Sequence, residues 1–110
     1  MADVIKLVKD DNLPEITLTL TDTTSGLPLD LSAPTTSVVV RFRAVGGTSV
    51  LEVFQCVNVT NGEDGKVKFF FPGSSLDVPA GLYEGEIEID FNGLRQTVYD
   101  LLKFKVREDF

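Results

Sequence analysis

The fold is decided by residues 79–98, which read PAGLYEGEIEIDFNGLRQTV. From Tyr83 to Phe91 the apolar side chains share one parity, and the acidic side chains share the other. Because successive side chains of a strand point to opposite faces, this alternation predicts a strand with one buried face and one acidic, solvated face.

The dipeptide Asn92-Gly93 follows that strand and suits a two-residue type I′ turn, in which both central residues need positive φ. A second apolar stretch then returns along the first. The turn therefore predicts an antiparallel hairpin. Its expected cross-strand pairs are Phe91 with Leu94, Asp90 with Arg95, and Ile87 with Val98.

Working outward, strand-like windows rich in β-branched and aromatic residues recur along the chain, separated by Gly, Asn and Ser turns. We expect seven strands, over residues 3–9, 15–21, 37–44, 49–59, 65–71, 82–91 and 94–107. No window shows a sustained helical period. Seven short strands of this kind predict an all-β chain, a single immunoglobulin-like antiparallel β-sandwich spanning residues 1–110.

Two details refine this prediction. Gly81-x-Tyr83 at the start of the sixth strand resembles a tyrosine corner, in which the phenol bonds back to the backbone. In the fourth strand the apolar parity changes after Val53, and a bulge near Phe54-Gln55 would reconcile the two halves.

Composition limits the classes of function. The 110 residues carry a formal charge of −7, which disfavours nucleic acid and anionic membrane surfaces as partners, since both are bound through Lys and Arg. Cys56 is the single cysteine and lies in an apolar run, so we expect a buried thiol and no disulfide framework. Met1-Ala2-Asp3 does not open a signal peptide, so synthesis in a cytoplasm is expected.

No catalytic signature is present. The chain has no histidine, which removes the commonest general base and metal ligand, and it has no nucleophile elbow or phosphate-binding loop. The carboxylates of the sixth strand are expected to form a solvated face rather than a glycosidase pair. We predict no enzyme, no catalytic residues and no cofactor.

A metal site is also not expected. Asn61, Glu63 and Asp64 carry oxygen ligands of the kind that Ca²⁺ prefers, but they lie in a Gly-bounded loop without the EF-hand spacing. The same residue types are typical of tight hairpin turns. We interpret this loop as a turn.

The outward parity of the last strand carries Lys103, Lys105 and Arg107, which are expected to pair with the acidic row of the sixth strand. Apolar side chains on outward parity indicate either a surface for a partner or burial under a loop or bulge, and the partner surface is the favoured interpretation. With the terminal Phe110, these candidate interface residues are Phe70, Tyr99, Leu101 and Phe110.

Taken in order, these elements resemble one family, the immunoglobulin-like domain at the N-terminus of tailed-phage baseplate upper proteins and its small stand-alone relatives. The matching residues are Pro14-Glu15-Ile16-Thr17-Leu18, Gly26-Leu27-Pro28-Leu29-Asp30-Leu31, Val40-Arg41-Phe42-Arg43, Gly62-x-x-Gly65-x-Val67, Pro72 to Leu76, Pro79-x-Gly81-x-Tyr83-x-Gly85-Glu86 and Gln96-Thr97-Val98.

The resemblance implies a virion structural protein that docks to other virion proteins. Because virion proteins surround symmetry axes, contact between copies of the chain in a homo-oligomer is a further expectation. The larger members of the family continue into oligomerising and docking segments. A chain of 110 residues is therefore expected to be a small accessory piece of the tail or baseplate, or a capsid-decorating protein. The alternative is a carbohydrate-binding or adhesive β-sandwich, which usually shows exposed Trp or Tyr; this chain has no Trp and two Tyr.

Overall fold

The computed structural model of the chain describes residues 4–110, which form nine β-strands without any helix among them. No helix capable of crossing a membrane is therefore found in that range. The strands are β1 (Val4–Val8), β2 (Ile16–Thr19), β3 (Thr36–Ala44), β4 (Glu52–Gln55), β5 (Val57–Asn58), β6 (Lys66–Phe69), β7 (Gly81–Phe91), β8 (Leu94–Thr97) and β9 (Leu102–Arg107).

Two sheets form a compact, sandwich-like fold. The larger sheet has the order β1-β9-β7-β3-β4, with β8 also paired to β7, and the smaller has the order β2-β6-β5. The predicted all-β class is confirmed. The first predicted strand, 3–9, is described from Val4 onward, and Met1-Ala2-Asp3 lies outside the described residues.

The prediction of purely antiparallel sheets is wrong, because β1 runs parallel to β9. No hairpin turn joins these two strands, since they come from opposite ends of the described chain. After β1 the chain instead passes to the smaller sheet, where it forms β2. Without a short connection, nothing imposes antiparallel pairing at this edge.

The central hairpin agrees with its prediction. Phe91 pairs with Leu94 and Asp90 with Arg95, and the turn residues Asn92 and Gly93 both have positive φ, 53° and 92°. The predicted partner of Ile87 is also correct, because the Val98 N–H donates to its carbonyl over 2.9 Å.

Beyond Val98 the expected single strand 94–107 divides into β8 and β9. Between the pairs Glu88–Thr97 and Gly85–Leu102, four residues, 98–101, lie opposite only two on β7. Because the excess is an even number, the side-chain parity is preserved on both sides of this insertion. Leu102, Phe104 and Val106 are consequently buried as predicted.

The expected strand 49–59 also divides, and here the predicted bulge is wrong. At Cys56 the chain leaves β4, which pairs with β3, and enters β5, which pairs with β6 in the other sheet. Phe54 and Cys56 are buried, whereas Leu51 and Val53 are exposed on regular outward parity. The apolar residues occur on both parities because one face of β4 is apolar yet exposed, and because the chain changes sheets at Cys56. Residues 4–110 therefore form nine strands rather than about seven.

The core lies between the sheets and is centred on aromatic rings. Phe42 stacks on Tyr83 with centroids 5.0 Å apart and meets Phe54 and Phe104 edge-on at 5.7 and 5.3 Å. Such pairs contribute about 0.5–1.5 kcal/mol each beyond their buried area. Gly85 packs closely against this core, because a Cβ at this position would come within 2.9 Å of Val40 Cγ1 and 3.0 Å of Phe104 Cε2.

Candidate interaction surfaces

Neither a metal-binding cluster nor an accessible thiol is found among the described residues. Residues 4–110 contain no group of three or more Cys, Asp or Glu side chains placed to hold a metal ion. Cys56 is buried, as predicted, and its burial raises the pKa of the thiol from 9.0 to about 12. A thiol with such a pKa stays protonated and is a poor nucleophile at neutral pH.

The loop that offered candidate calcium ligands is a hydrogen-bonded turn. The Thr60 hydroxyl donates to Asp64 over 2.7 Å, and the Glu63 N–H donates to the Asn61 side-chain oxygen over 3.0 Å. The Lys66 N–H donates to the second Asp64 oxygen, and these bonds, with the Thr60 bond first, lower the pKa of Asp64. The oxygens that could bind a cation are thus engaged within the turn.

The acidic row of β7 lies on the outer face of the larger sheet, but it is not the solvated face that the sequence predicts. Arg43 pairs with Glu84 at 3.3 Å and Arg41 pairs with Glu88 at 3.0 Å. The two glutamate side chains are only 13% and 15% exposed. Both cations come from β3, the strand on the side of β7 away from β9.

Strand β9 lies beside this row, as expected, but the expected ion pairs between the two strands do not form. Lys103 lies directly opposite Glu84 in the register, yet the ion pair of Glu84 is with Arg43. Among the described residues, none of Lys103, Lys105 and Arg107 forms a salt bridge. Lys105 and Arg107, with Lys6 of β1, line a shallow cavity of about 310 Å³.

The four candidate interface residues do not form one patch. Phe70 is 48% exposed and follows β6 in the smaller sheet, whereas Leu101 is half-buried beside Arg41 and Arg43 of the larger sheet. Tyr99 is 95% exposed on the insertion between β8 and β9. The ring of Phe110 lies against Arg107, whose guanidinium carbon is 5.2 Å from its centroid.

Sequence reasoning missed a second set of exposed apolar residues, around the β3–β4 hairpin. They are 45–57% exposed and comprise Val45, Val50, Leu51, Val53 and Leu82. The apolar residues on both parities of the 49–59 window were the available signal. A bulge would turn the apolar side chains of both parities toward the core. Because the chain instead leaves β4 for the other sheet, the side chains of outward parity stay exposed to solvent.

The two tyrosines have different surroundings. Tyr83 is buried near the start of β7, and its hydroxyl donates to the carbonyl oxygen of Pro79, which precedes that strand. Tyr99 is therefore the one tyrosine whose ring is open to solvent. It lines a cleft of about 330 Å³ together with Thr19, Thr21 and Gln96.

Comparison with known proteins gives a likeness in fold. No protein-family profile and no curated protein matches the chain. Among solved structures, the chain is similar to the N-terminal domain of phage TP901-1 ORF48, with a TM-score of 0.60 and 15% sequence identity. The match covers 98% of this chain and 86% of that one, so the two share a fold along nearly their whole length.

Proposed function

We propose that this protein is a non-enzymatic structural component of a tailed-phage virion, a module that docks to other virion proteins. The observation that carries the proposal is the fold shared with the N-terminal domain of phage TP901-1 ORF48, over 98% of the chain. A tail or baseplate accessory protein and a capsid-decorating protein both fit it. Localisation in the virion, after synthesis in the host cytoplasm, follows from the same proposal.

We further assign the fold to the immunoglobulin-like class. Support comes from the strand order, since β9-β7-β3-β4 and β2-β6-β5 correspond to strands G-F-C-C′ and B-E-D of a variable-type domain. The hydrogen bond from Tyr83 to Pro79 is placed like the tyrosine corner of that fold.

The docking role is supported by what the surface offers. Phe70 and Leu101 present apolar area on opposite outer faces, and the exposed apolar set around the β3–β4 hairpin adds a third region. Exposed apolar area of this kind marks contact surfaces in assemblies. Contacts with a neighbouring virion protein or with a second copy of the chain would cover it.

A carbohydrate-binding module is the second candidate, favoured by the position of Tyr99 at the rim of a cleft lined by hydroxyl and amide side chains. A solvent-exposed ring beside such groups can stack on a sugar. Retention of a glycan on an array by the wild type, and its loss in Tyr99→Ala, would support this candidate over the docking role.

The experiment that tests the proposed function is mass spectrometry of purified phage particles from the source. The protein is expected at many copies per particle, and its absence from particles would contradict the proposal. The double variant Phe70→Ser with Leu101→Ser should fold yet lower the copy number. Leu13→Ser with Leu27→Ser is the matched control, because both leucines are 65% exposed outside the proposed surface.

A further inference from the structure

Five of the ten Lys and Arg side chains form no salt bridge with a carboxylate of residues 4–110. The chain has ten Lys and Arg, and five of them form salt bridges: Lys9, Arg41, Arg43, Lys68 and Arg95. Of the other five, one is Lys66 on the smaller sheet. The remaining four lie together on the outer face of β1 and β9, and we name them the basic strip: Lys6, Lys103, Lys105 and Arg107.

The basic strip breaks a rule of sheet stability. In the parallel register of β1 and β9, Lys6 is the direct partner of Lys105. Like charges placed opposite each other on one face destabilise a sheet. The chain has seventeen Asp and Glu, yet none within the described residues neutralises this pair. Local rules are commonly broken at functional sites, where a ligand compensates.

The strip adjoins an open strand edge. The Lys9 N–H donates to the Arg107 carbonyl over 2.9 Å, so the odd-numbered residues of β1 direct their backbone groups toward β9. The backbone groups of Val4 and Lys6 consequently point away from the sheet. No backbone partner from residues 4–110 meets them outside the sheet. An extended segment can add to such an edge by main-chain hydrogen bonds.

We propose that β1 and the basic strip bind an extended acidic segment of a neighbouring protein, added as a further strand beside β1. Alternate residues of an added strand lie on the same outer face as Lys6, Lys105 and Arg107. The segment would therefore carry Asp or Glu at every second position. Apolar residues flank the strip, because Val4 and Leu82 are the register partners of Lys103 and Lys105 and both are exposed.

Charge argues for this partner over the others. A nucleic acid would meet the repulsion of a chain with a net charge of −7 and only four clustered cations. A second copy cannot add its acidic strand β7 to this edge, since β7 is already paired with β9 on one side and β3 on the other. Lys6 at the middle of β1 also repels the same edge of another copy. The identity of the partner as a virion protein rests on the proposed function.

The test uses the full chain and a fluorescent eight-residue peptide that alternates Glu and Thr. Two probes with the same labels serve as controls: a peptide of equal composition with its four Glu in one block, and an eight-nucleotide thymidine DNA strand. Fluorescence anisotropy at low salt should show the alternating peptide binding at least about tenfold more tightly than either control. Equal binding of all three would overturn the proposal in favour of unspecific anion attraction.

Variants locate the site. Lys6→Glu with Lys105→Glu should weaken binding of the alternating peptide by at least about tenfold. Lys66→Glu with Arg95→Glu changes the net charge by the same amount outside the strip. This variant should bind the alternating peptide with an affinity within about twofold of the wild type. In hydrogen exchange, the alternating peptide should slow the Lys6 amide, because that N–H gains a partner. An unprotected Lys6 amide, or equal loss in both double variants, would overturn the proposal.

A measurement without any peptide checks the cost of the unpaired cations. Lys6→Glu alone places a carboxylate opposite Lys105 and should raise the melting temperature of the free protein. The same variant should bind the alternating peptide more weakly than the wild type does. An unchanged or lower melting temperature would contradict the role assigned to this pair. If the peptide fails to bind while the protein is still found at many copies in particles, the inference is wrong and the proposed function stands.

Discussion

The guanidinium of Arg43 lies 3.3 Å from the carboxylate of Glu84, although Lys103 is the residue directly opposite Glu84 on the other neighbouring strand. Glu84 and Glu88 therefore pair with arginines of β3, Glu88 also with Arg95 of β8, and neither pairs with β9. These ion pairs lie at largely buried carboxylates, and the basic strip is left without a carboxylate partner among residues 4–110. The same relationship underlies both the stability of the outer face and the surface proposed to bind a partner.

Replacing Arg43 and replacing Lys103 should have different effects on stability. Arg43→Gln removes the partner of a largely buried carboxylate and is expected to lower the free energy of unfolding by roughly 0.5–1 kcal/mol. Lys103→Gln should change it by less than about 0.3 kcal/mol, because Lys103 has no ion pair to lose. Urea unfolding of both variants checks this, and a larger loss for Lys103→Gln would contradict the assigned pairing.

Gly85 should not tolerate a side chain. In Gly85→Ala the new Cβ meets Val40 Cγ1 at 2.9 Å and Phe104 Cε2 at 3.0 Å, so the core must shift. We expect a loss of about 1–3 kcal/mol in the free energy of unfolding. A double-mutant cycle provides the control: Val40→Ala should cost less in the Gly85→Ala background than in the wild type. Additive losses would show that the two sites do not clash.

Tyr83→Phe tests the hydrogen bond to Pro79. The phenol is buried, so removing its hydroxyl leaves the Pro79 carbonyl without this donor while the ring remains stacked on Phe42. A loss of about 1 kcal/mol in the free energy of unfolding is expected. Tyr99→Phe is the matched control, and it should be neutral because its side chain is almost fully exposed. An equal loss of stability in both variants would show that the hydrogen bond from Tyr83 to Pro79 has no special role in stability.

Cys56 should be unreactive in the native protein. Because burial raises the pKa of its thiol from 9.0 to about 12, Ellman's reagent at pH 8 should label it only after unfolding. The native state holds this proton more tightly than the unfolded chain does, so its contribution to stability is complete below pH 9 and falls as the pH rises toward 12. Between those values, wild-type stability should fall more steeply than that of Cys56→Ala. Parallel curves would contradict the shifted pKa.

Calcium should leave the melting temperature unchanged. The oxygens of Asn61 and Asp64 accept hydrogen bonds within the turn, and residues 4–110 contain no group of three or more Asp, Glu or Cys side chains placed to hold a metal ion. The measurement compares thermal melts with added Ca²⁺ and with a chelator. A rise of several degrees with Ca²⁺ would reveal a site, since a ligand bound only by the native state must stabilise it.

The sequence alone determined the elements whose signals are local. The alternation from Tyr83 to Phe91 and the Asn92-Gly93 turn encode the central hairpin, because side-chain period and turn chemistry act over a few neighbouring residues. The same period placed Val38, Val40 and Phe42 in the core. The all-β class followed from the repetition of such windows.

Only the tertiary structure decided which strands became neighbours. A period of two says which face a residue occupies, but not which strand lies beside it or on which side. For that reason the sequence could not show that Arg43 and Arg41 would take the carboxylates, that the chain would change sheets at Cys56, or that β1 would lie parallel to β9. Each depends on contacts between residues far apart in the chain, which are settled when the two sheets pack together.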